Sequence, residues 1–251
     1  MEGKIERASE VVTELVRLNV DVLVTATPEM TRQAQKVTTT VPIATFSRAP
    51  VDERLVVSLA RPGGNITGLT NDTGPSLQGK LLELLREGLP KLRRVAYLGP
   101  EAEWKGPGGM GARATAGALG LTLFLAERSP NDYTRAFHLI ARERPDAIII
   151  SQDATHYPHR RFIAEFAARN RLPTMGSYRE FVEAGGLMSY GHDSQDIYRR
   201  VAIYVVRILR GAKPADLPIE QPTKFELVIN LKTARALNVI ISPSLLRGRI
   251  R

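Results

Sequence analysis

The stretch EAGGLMSYGHD, residues 183–193, decides how this chain is organised, because an earlier stretch has the same design. In RPGGNITGLTND, residues 61–72, a Gly-Gly pair again leads into a short strand-like run, a further glycine and a polar helix start. Glycine permits positive φ and close backbone approach, and a strand that crosses between two bodies requires both. The two stretches therefore predict two bodies, with the chain crossing from one to the other at each stretch.

The segments that precede the two stretches also repeat. VDVLVTA (20–26), a helical run and VPIATFS (41–47) correspond to PDAIIIS (145–151), a helical run and LPTMGSY (172–178). Runs that are apolar on both faces and separated by single helices indicate a parallel sheet covered on both sides. The sequence thus predicts an α/β protein with two similar, doubly wound, Rossmann-like lobes.

A third crossing is predicted in KPADLPIEQP, residues 213–222, whose prolines favour an extended path. The three crossing strands would join the lobes near Thr70, Tyr190 and Leu217. Two open sheets that face each other across such strands form a cleft, lined by the strand ends that bind ligands in these folds. The predicted lobes comprise residues 1–70 with 190–216 and residues 71–189 with 217–251.

The two lobes differ at their start. The second lobe opens with a strand, a helix, a strand and a helix over residues 93–144, whereas the first has only the last helix, KIERASEVVTELVRLN, residues 4–19. The sequence therefore predicts that the first lobe is truncated at its N-terminus. An incomplete sheet exposes a strand edge, so we expect this edge to be covered by a partner chain, as in a homodimer, or by rearranged local segments, or to stay uncovered and cause aggregation.

Composition excludes several classes of partner. The 251 residues carry a formal net charge of +9, but the basic residues are scattered and accompany no nucleic-acid-reading motif, so we predict no nucleic-acid partner. There is no cysteine, which excludes disulfides and thiolate metal sites. No apolar run approaches the roughly 18 residues of a membrane helix, and MEGKIERASE does not have the pattern of a signal peptide.

One glycine-rich stretch matches a dinucleotide-binding fingerprint. GPGGMG, residues 106–111, follows a strand, precedes a helix and lies upstream of Glu127, as a nucleotide-dependent enzyme would require. Against this alternative, the strand ends at Gly99, well before Gly106, and Pro107 lacks the amide hydrogen that could serve a phosphate. We favour a flexible glycine-rich loop and predict no cofactor.

A second stretch, DATHYPH, could hold a metal through Asp153, His156 and His159. Loop histidines three positions apart contact solvent or ligand more often than metal, so we predict no metal. Neither a G-x-S-x-G elbow, an H-E-x-x-H pair nor a P-loop occurs in the sequence. We therefore predict that the protein is not an enzyme.

The remaining candidates are residues at predicted strand ends that would face the cleft. Their hydroxyls, aromatic rings and single carboxylate suit a small zwitterion with an apolar side chain. Backbone amides and hydroxyls would bind its carboxylate, and Asp153 would bind its ammonium. The alternative for each is ordinary structure, with Thr27-Pro28 ending a strand and Phe46 in the core. The candidate ligand-binding residues are Ala26, Thr27, Pro28, Phe46, Ser47, Gln152, Asp153, Ser177, Tyr178 and Tyr190.

Three segments carry a resemblance to a known family: SLARPGGNITGLT, REFVEAGGLMSYG and DIYRRVAIYVVRILRGAKPADLPIEQPTKFELVINLKTARAL. They resemble substrate-binding proteins of ABC transporters, in the group that includes tryptophan- and tyrosine-type binding proteins with the type I periplasmic binding fold. The resemblance implies capture of a small organic solute, such as an amino acid, and aromatic amino acids in particular. It places the cleft contacts around Thr27, Ser47, Gln152, Ser177 and Tyr190.

The same resemblance implies delivery of the solute to an ABC permease in the membrane, a periplasmic location and no catalysis. Because the chain shows no signal peptide, the expected location becomes cytoplasmic if Met1 is the native start. A ligand-sensing regulatory module is a further alternative, since the same two-lobed fold serves in repressors.

Overall fold

The computed structural model describes residues 5–70, 76–129 and 132–247. Contacts divide the chain into two units, one of residues 1–73 and 193–224 and the other of residues 74–192 and 225–251. Within the described ranges, no helix combines the length and the apolarity that crossing a membrane requires.

Strands and helices alternate along most of the chain. The strands are β1 (Leu23–Thr25), β2 (Ile43–Ser47), β3 (Ile66–Thr70), β4 (Arg94–Gly99), β5 (Thr122–Glu127), β6 (Ala147–Ile150), β7 (Thr174–Gly176), β8 (Met188–His192) and β9 (Phe225–Ile229). The α-helices are α1 (Ile5–Arg17), α2 (Pro28–Val37), α3 (Ser76–Gly88), α4 (Glu101–Lys105), α5 (Pro107–Ala118), α6 (Thr134–Glu143), α7 (Arg160–Arg169), α8 (Arg179–Glu183), α9 (Ser194–Leu209), α10 (Leu231–Ala236) and α11 (Pro243–Arg247). Short 3-10 helices span Ala154–His156 and Pro214–Asp216.

The first unit is a parallel sheet of order β1-β2-β3 with helices on both faces. Neighbouring residues of β2 serve opposite faces, since Ile43 packs with α1 and α2 while Ala44 packs with α9. Helix α9 buries Ile197, Val201 and Tyr204 at helical spacing, which gives it one apolar stripe against the sheet. This two-sided burial explains why the strands read as continuous apolar runs.

The second unit is a six-stranded sheet of order β5-β4-β6-β7-β8-β9, parallel except for the antiparallel pair β8–β9. Tyr97 faces the core beneath α3, α5, α10 and α11, and its neighbour Leu98 faces the core beneath α6, α7 and α8. The predicted α/β class, with parallel sheets covered on both sides, is confirmed in both units.

The proline-rich segment that was predicted to form the third crossing has hydrogen bonds within the first unit. Residues 217–220 pair with the first unit: the Thr70 amide donates to Glu220 O at 2.9 Å, and Ile219 N donates to Leu59 O at 2.7 Å. The hydroxyl of Thr67 also donates to Leu217 O. Backbone hydrogen bonds hold this proline-rich segment beside β3, and contacts group residues 193–224 with the first unit; the crossing near Leu217 stays a prediction.

Close backbone approach occurs at the glycine after each Gly-Gly pair. A Cβ on Gly68, whose φ is +134°, would lie 2.1 Å from Thr45 O, and one on Gly191 would lie 1.9 Å from Ser177 O. Side chains there would collide with the neighbouring strand, so both positions require glycine.

The glycine-rich stretch at residues 106–111 is helical, which corrects the prediction of a flexible loop. Gly106 is the N-cap of α5, and the helix runs from Pro107. The glycines allow close packing, because a Cβ on Gly109 would lie 2.2 Å from Trp104 O. A proline in the first turn suits a helix start, which offsets the low helix propensity of glycine.

Candidate ligand-binding site

Most of the predicted site residues lie where parallel strands end. In the second unit, β4, β6 and β7 run in the same direction, so their carboxyl ends share one edge of the sheet. Gln152 follows β6 and Ser177 follows β7 at that edge. In the first unit, Ser47 is the last residue of β2. Ligands of open α/β sheets bind at such ends.

Three of these side chains carry buried polar atoms that have no hydrogen-bond partner among the described residues. They are Ser47 Oγ, Gln152 Nε2 and Ser177 Oγ. Ser47 and Ser177 are only 1% and 3% exposed, so bulk water does not readily satisfy them. Buried polar groups are nearly always hydrogen-bonded in native proteins, and exceptions are common at functional sites. These atoms therefore mark places where a ligand can supply the missing partner.

Asp153 has a partner within the protein, which changes its expected role. Its carboxylate pairs with the guanidinium of buried Arg128, and its Oδ1 accepts from the amide and hydroxyl of Thr155. Burial alone would raise the pKa of Asp153, but the Thr155 hydrogen bonds and the Arg128 charge outweigh it, so the pKa is lowered. The carboxylate is ionised but already neutralised, which does not favour its predicted use for a ligand ammonium.

His156 is buried, and both of its ring nitrogens contact protein groups. Its Nδ1 lies 2.8 Å from the Tyr133 hydroxyl and its Nε2 lies 3.1 Å from Ser151 Oγ. Burial, followed by the charge of Arg128, lowers the pKa of His156 to about 3, so the ring is neutral at pH 7. No group of three potential metal ligands occurs in the described part of the chain.

Three candidates of the first unit, Thr27, Pro28 and Phe46, have structural contacts within the protein. Thr27 is the N-cap of α2 and accepts from Met30 N at 3.2 Å, and Pro28 is the first helical residue. Phe46 packs against α9, with its ring 6.5 Å from that of Tyr198. Ala26 is exposed after β1. The ordinary-structure interpretation of Thr27, Pro28 and Phe46 thus accounts for their contacts.

The two tyrosines of the second unit also contact protein groups. The Tyr178 hydroxyl donates to Gln152 O at 3.3 Å, and its ring meets the ring of His192 edge-on at 5.9 Å. Tyr190 stacks on Phe225 at 5.7 Å and packs against the core that α3 and α5 cover. Tyr178 thereby fixes the backbone at Gln152, whereas Tyr190 is half-buried support for β8 and β9.

Two further residues have the same signature and escaped the sequence prediction. Both amide atoms of Gln78 and Glu180 Oε2 are buried without a partner in the described residues. Gln78 is 3% exposed and lies in the first turn of α3, and Glu180 lies in α8, directly after Ser177 and Tyr178. Their position in amphipathic helices hid them, because a polar residue in a helix is ordinarily exposed.

The comparisons with known proteins identify the family. Residues 1–249 match the family of ABC transporter substrate binding proteins, and the chain belongs to that family. The fold is that of the type I periplasmic binding proteins. A Streptococcus pneumoniae ABC domain solved in complex with L-Trp has a TM-score of 0.87 and 24% identity, over all of this chain and 87% of that one.

Two other relatives are similar to this chain over different shares of their length. A conserved domain protein from Vibrio cholerae O1 biovar El Tor has a TM-score of 0.87 and 26% identity, over all of this chain and 85% of that one. A tyrosine-binding protein of Clostridioides difficile strain R20291 is 22% identical over 204 residues. That match covers 78% of this chain and 56% of the relative, so this chain spans little more than half of the relative's length.

Proposed function

We propose that this chain is the solute-binding component of an ABC-type importer and that it binds an amino acid or a closely similar molecule. The observation that carries this proposal is that Gln152 Nε2 and Ser177 Oγ, at one edge of the second unit's sheet, are buried without a partner among the described residues. Leaving such a group unsatisfied costs about 1–3 kcal/mol, and a bound solute removes that cost. The side chains offer hydroxyl and amide groups, which suit a small polar solute.

The kind of solute follows from the relatives and from charge. A tyrosine-binding relative and a relative solved with L-Trp support an amino acid, with aromatic ones as the first to test. An ammonium group would be bound by Glu180, whose Oε2 lacks a partner in the described residues, rather than by Asp153, which Arg128 already neutralises. Delivery to a membrane permease and a periplasmic location belong to the same proposal.

Two features favour binding without catalysis. His156 and Ser151 are hydrogen-bonded to each other, yet they are 0% and 1% exposed, so a substrate cannot reach them as a catalytic pair. The alternative of a nucleotide-dependent enzyme is not favoured, because α4 separates the end of β4 from Gly106 and the phosphate-binding turn cannot form. Family membership favours transport over a regulatory module.

A thermal-shift screen tests the proposed function. The protein is melted alone and with each of the twenty standard L-amino acids, with NAD and zinc chloride as controls. A ligand that binds the native state raises the melting temperature by mass action, so we expect at least one amino acid to do so and the controls to have no effect. A stabilising effect of NAD or zinc, with none from any amino acid, would contradict the proposal.

A further inference from the structure

Gln78 occupies a place that apolar residues would fill in an ordinary helix interface. It is 3% exposed where α3 packs on α5, and neither its Nε2 nor its Oε1 has a partner in the described ranges. A Gln side chain can donate two hydrogen bonds and accept two. Burying an amide group without hydrogen bonds costs free energy. This cost indicates that a ligand supplies the hydrogen-bond partners of Gln78.

The side chain of Gln78 lies beside the first turn of α5. Its Cγ is 3.5 Å from the position that a Cβ on Gly108 would take. Gly108 and Gly109 follow Pro107 in that turn, and the N-cap residue Gly106 supplies no side-chain hydrogen bond. The helical ladder of α5 opens with the bond from Met110 N to Gly106 O, so the amides of Gly108 and Gly109 precede this ladder.

Topology brings this turn to the ligand-binding edge of the second unit. Helix α3 leads into the start of β4, and α5 leads from the end of β4 to the start of β5. Both helices therefore begin at the edge where β4, β6 and β7 end, which is the edge that carries Gln152 and Ser177. Contacts agree with this placement, since Gln78 in the first turn of α3 lies beside Gly108 in the first turn of α5.

The chemistry of the turn suits an anion. Backbone N–H groups at a helix N-terminus, together with the helix dipole, stabilise negative charge. Gln78 Nε2 adds a side-chain donor, and its Oε1 can accept from an N–H group of the same molecule. The absence of a side chain on Gly108 leaves the turn open to a ligand. A carboxylate next to an amino group combines these features.

On the basis of the function proposed above, we propose that Gln78 and the first turn of α5 bind the carboxylate of the transported solute. The solute is thus an α-amino acid or another carboxylate bearing a nearby N–H donor. This assignment differs from the sequence-based expectation that Ser and Thr hydroxyls bind the carboxylate.

Two substitutions separate ligand binding from structural support. Gln78→Met keeps the volume and removes the polar atoms, and Gly108→Ala adds a methyl group at ordinary contact distance from Gln78. Each should leave the melting temperature of the ligand-free protein equal or higher, since one removes unsatisfied groups and the other improves helix propensity. Each should weaken amino-acid binding about tenfold or more, because charge-assisted hydrogen bonds are lost or blocked.

The matched control is Gln35→Met in α2. Gln35 Nε2 donates to Leu55 O at 3.4 Å, so this glutamine already has a protein partner. The control should lower the melting temperature slightly and leave binding unchanged. Titration calorimetry uses the twenty standard L-amino acids and, for each that binds, its carboxamide derivative, which lacks the carboxylate. We expect the carboxamide to bind weakly to the wild type. Gln78→Met should change the Kd of the carboxamide less than threefold, which is under about 0.7 kcal/mol of binding free energy.

The outcomes are distinguishable. If the wild type binds an amino acid and Gln78→Met binds it equally well, this inference is wrong and the proposed function stands. If Gln78→Met lowers the melting temperature of the ligand-free protein, Gln78 is structural and the inference is again wrong. If the wild type binds no amino acid, the proposed function fails, and the carboxylate site fails with it.

Discussion

At the scale of single residues, the informative feature is polar groups that are buried without a partner. Ser177 can be tested by Ser177→Ala, which removes its Oγ from the end of β7. We expect stability to be unchanged or higher by up to about 1 kcal/mol and solute affinity to fall about tenfold, because the hydroxyl contributes only when solute is bound. Calorimetric titration and melting curves measure both effects.

Thr174 in the same strand provides the control. Its Oγ1 accepts from Leu187 N at 3.0 Å, so Thr174→Val should cost about 1–3 kcal/mol of stability and leave affinity unchanged. If Ser177→Ala destabilised the protein as Thr174→Val does, and affinity remained at the wild-type level, Ser177 would be structural.

The lowered pKa of His156 predicts that the stability of the protein depends on pH. Its pKa is about 3 in the folded protein, against about 6.5 when unfolded, so below pH 6.5 the unfolded state binds a proton that the folded state does not. Stability is therefore fully present above about pH 6.5 and falls by up to about 1.4 kcal/mol per pH unit between there and the folded pKa. Melting temperatures of the wild type and of His156→Gln, compared between about pH 7 and pH 5, should differ in slope, with the variant less sensitive.

Asp153 does not confuse this comparison. The pKa of Asp153 is lowered, so the stability that this carboxylate contributes is lost only as pH falls below the ordinary aspartate range. Asp153 is also present in both the wild type and the variant. Equal slopes for the wild type and His156→Gln would show that His156 is protonated in the folded state.

At the scale of elements, the helical conformation of α5 predicts effects of glycine substitutions on stability that a flexible loop would not show. Gly109→Ala forces a Cβ to within 2.2 Å of Trp104 O, so we expect a loss of about 1–3 kcal/mol. Gly117 lies in the same helix with nothing within 4 Å of a built Cβ, so Gly117→Ala should gain up to about 1 kcal/mol. Thermal melting of both variants tests the helical conformation, since Gly109→Ala in a flexible loop would leave the melting temperature unchanged.

The strands were predictable because burial on both faces leaves a clear apolar run. Tyr97 and Leu98 show why, since adjacent residues of β4 serve the two opposite cores. The helix after the glycine-rich stretch was predicted, but its first turn was not, because Gly108 and Gly109 have low helix propensity and Gly109 instead allows close packing on Trp104. The hydrogen bonds between Glu220 and β3 were not predictable from local pattern, since they join residues far apart in sequence.

The site was predictable in part. Strand-end position, which the repeat revealed, pointed to Ser47, Gln152 and Ser177. Gln78 was missed because its burial depends on contact between α3 and α5, which no local pattern encodes. The ion pair of Asp153 with Arg128, whose side chain reaches it from the end of β5, was not predictable from sequence because the two residues lie on different elements.

At the scale of the whole molecule, the chain belongs to a family of transporter substrate-binding proteins and has the type I periplasmic fold. The proposed incompleteness of the first lobe stays a prediction, as does the homodimer. Within the described residues β1 pairs with β2 alone, and Val24 in β1 is 58% exposed. Exposed edges of this kind favour pairing with another chain, so the mass of the protein in solution is informative.

Titration calorimetry of the 251-residue chain with each standard L-amino acid tests the central claim most directly. We expect at least one amino acid to bind, with one molecule per chain and micromolar or tighter affinity. We also expect the joint replacement of Gln152 by Met and Ser177 by Ala to abolish the heat of binding while the protein stays folded. Absence of binding by the wild type at millimolar concentrations of every amino acid, or full binding by the double variant, would contradict the proposed function.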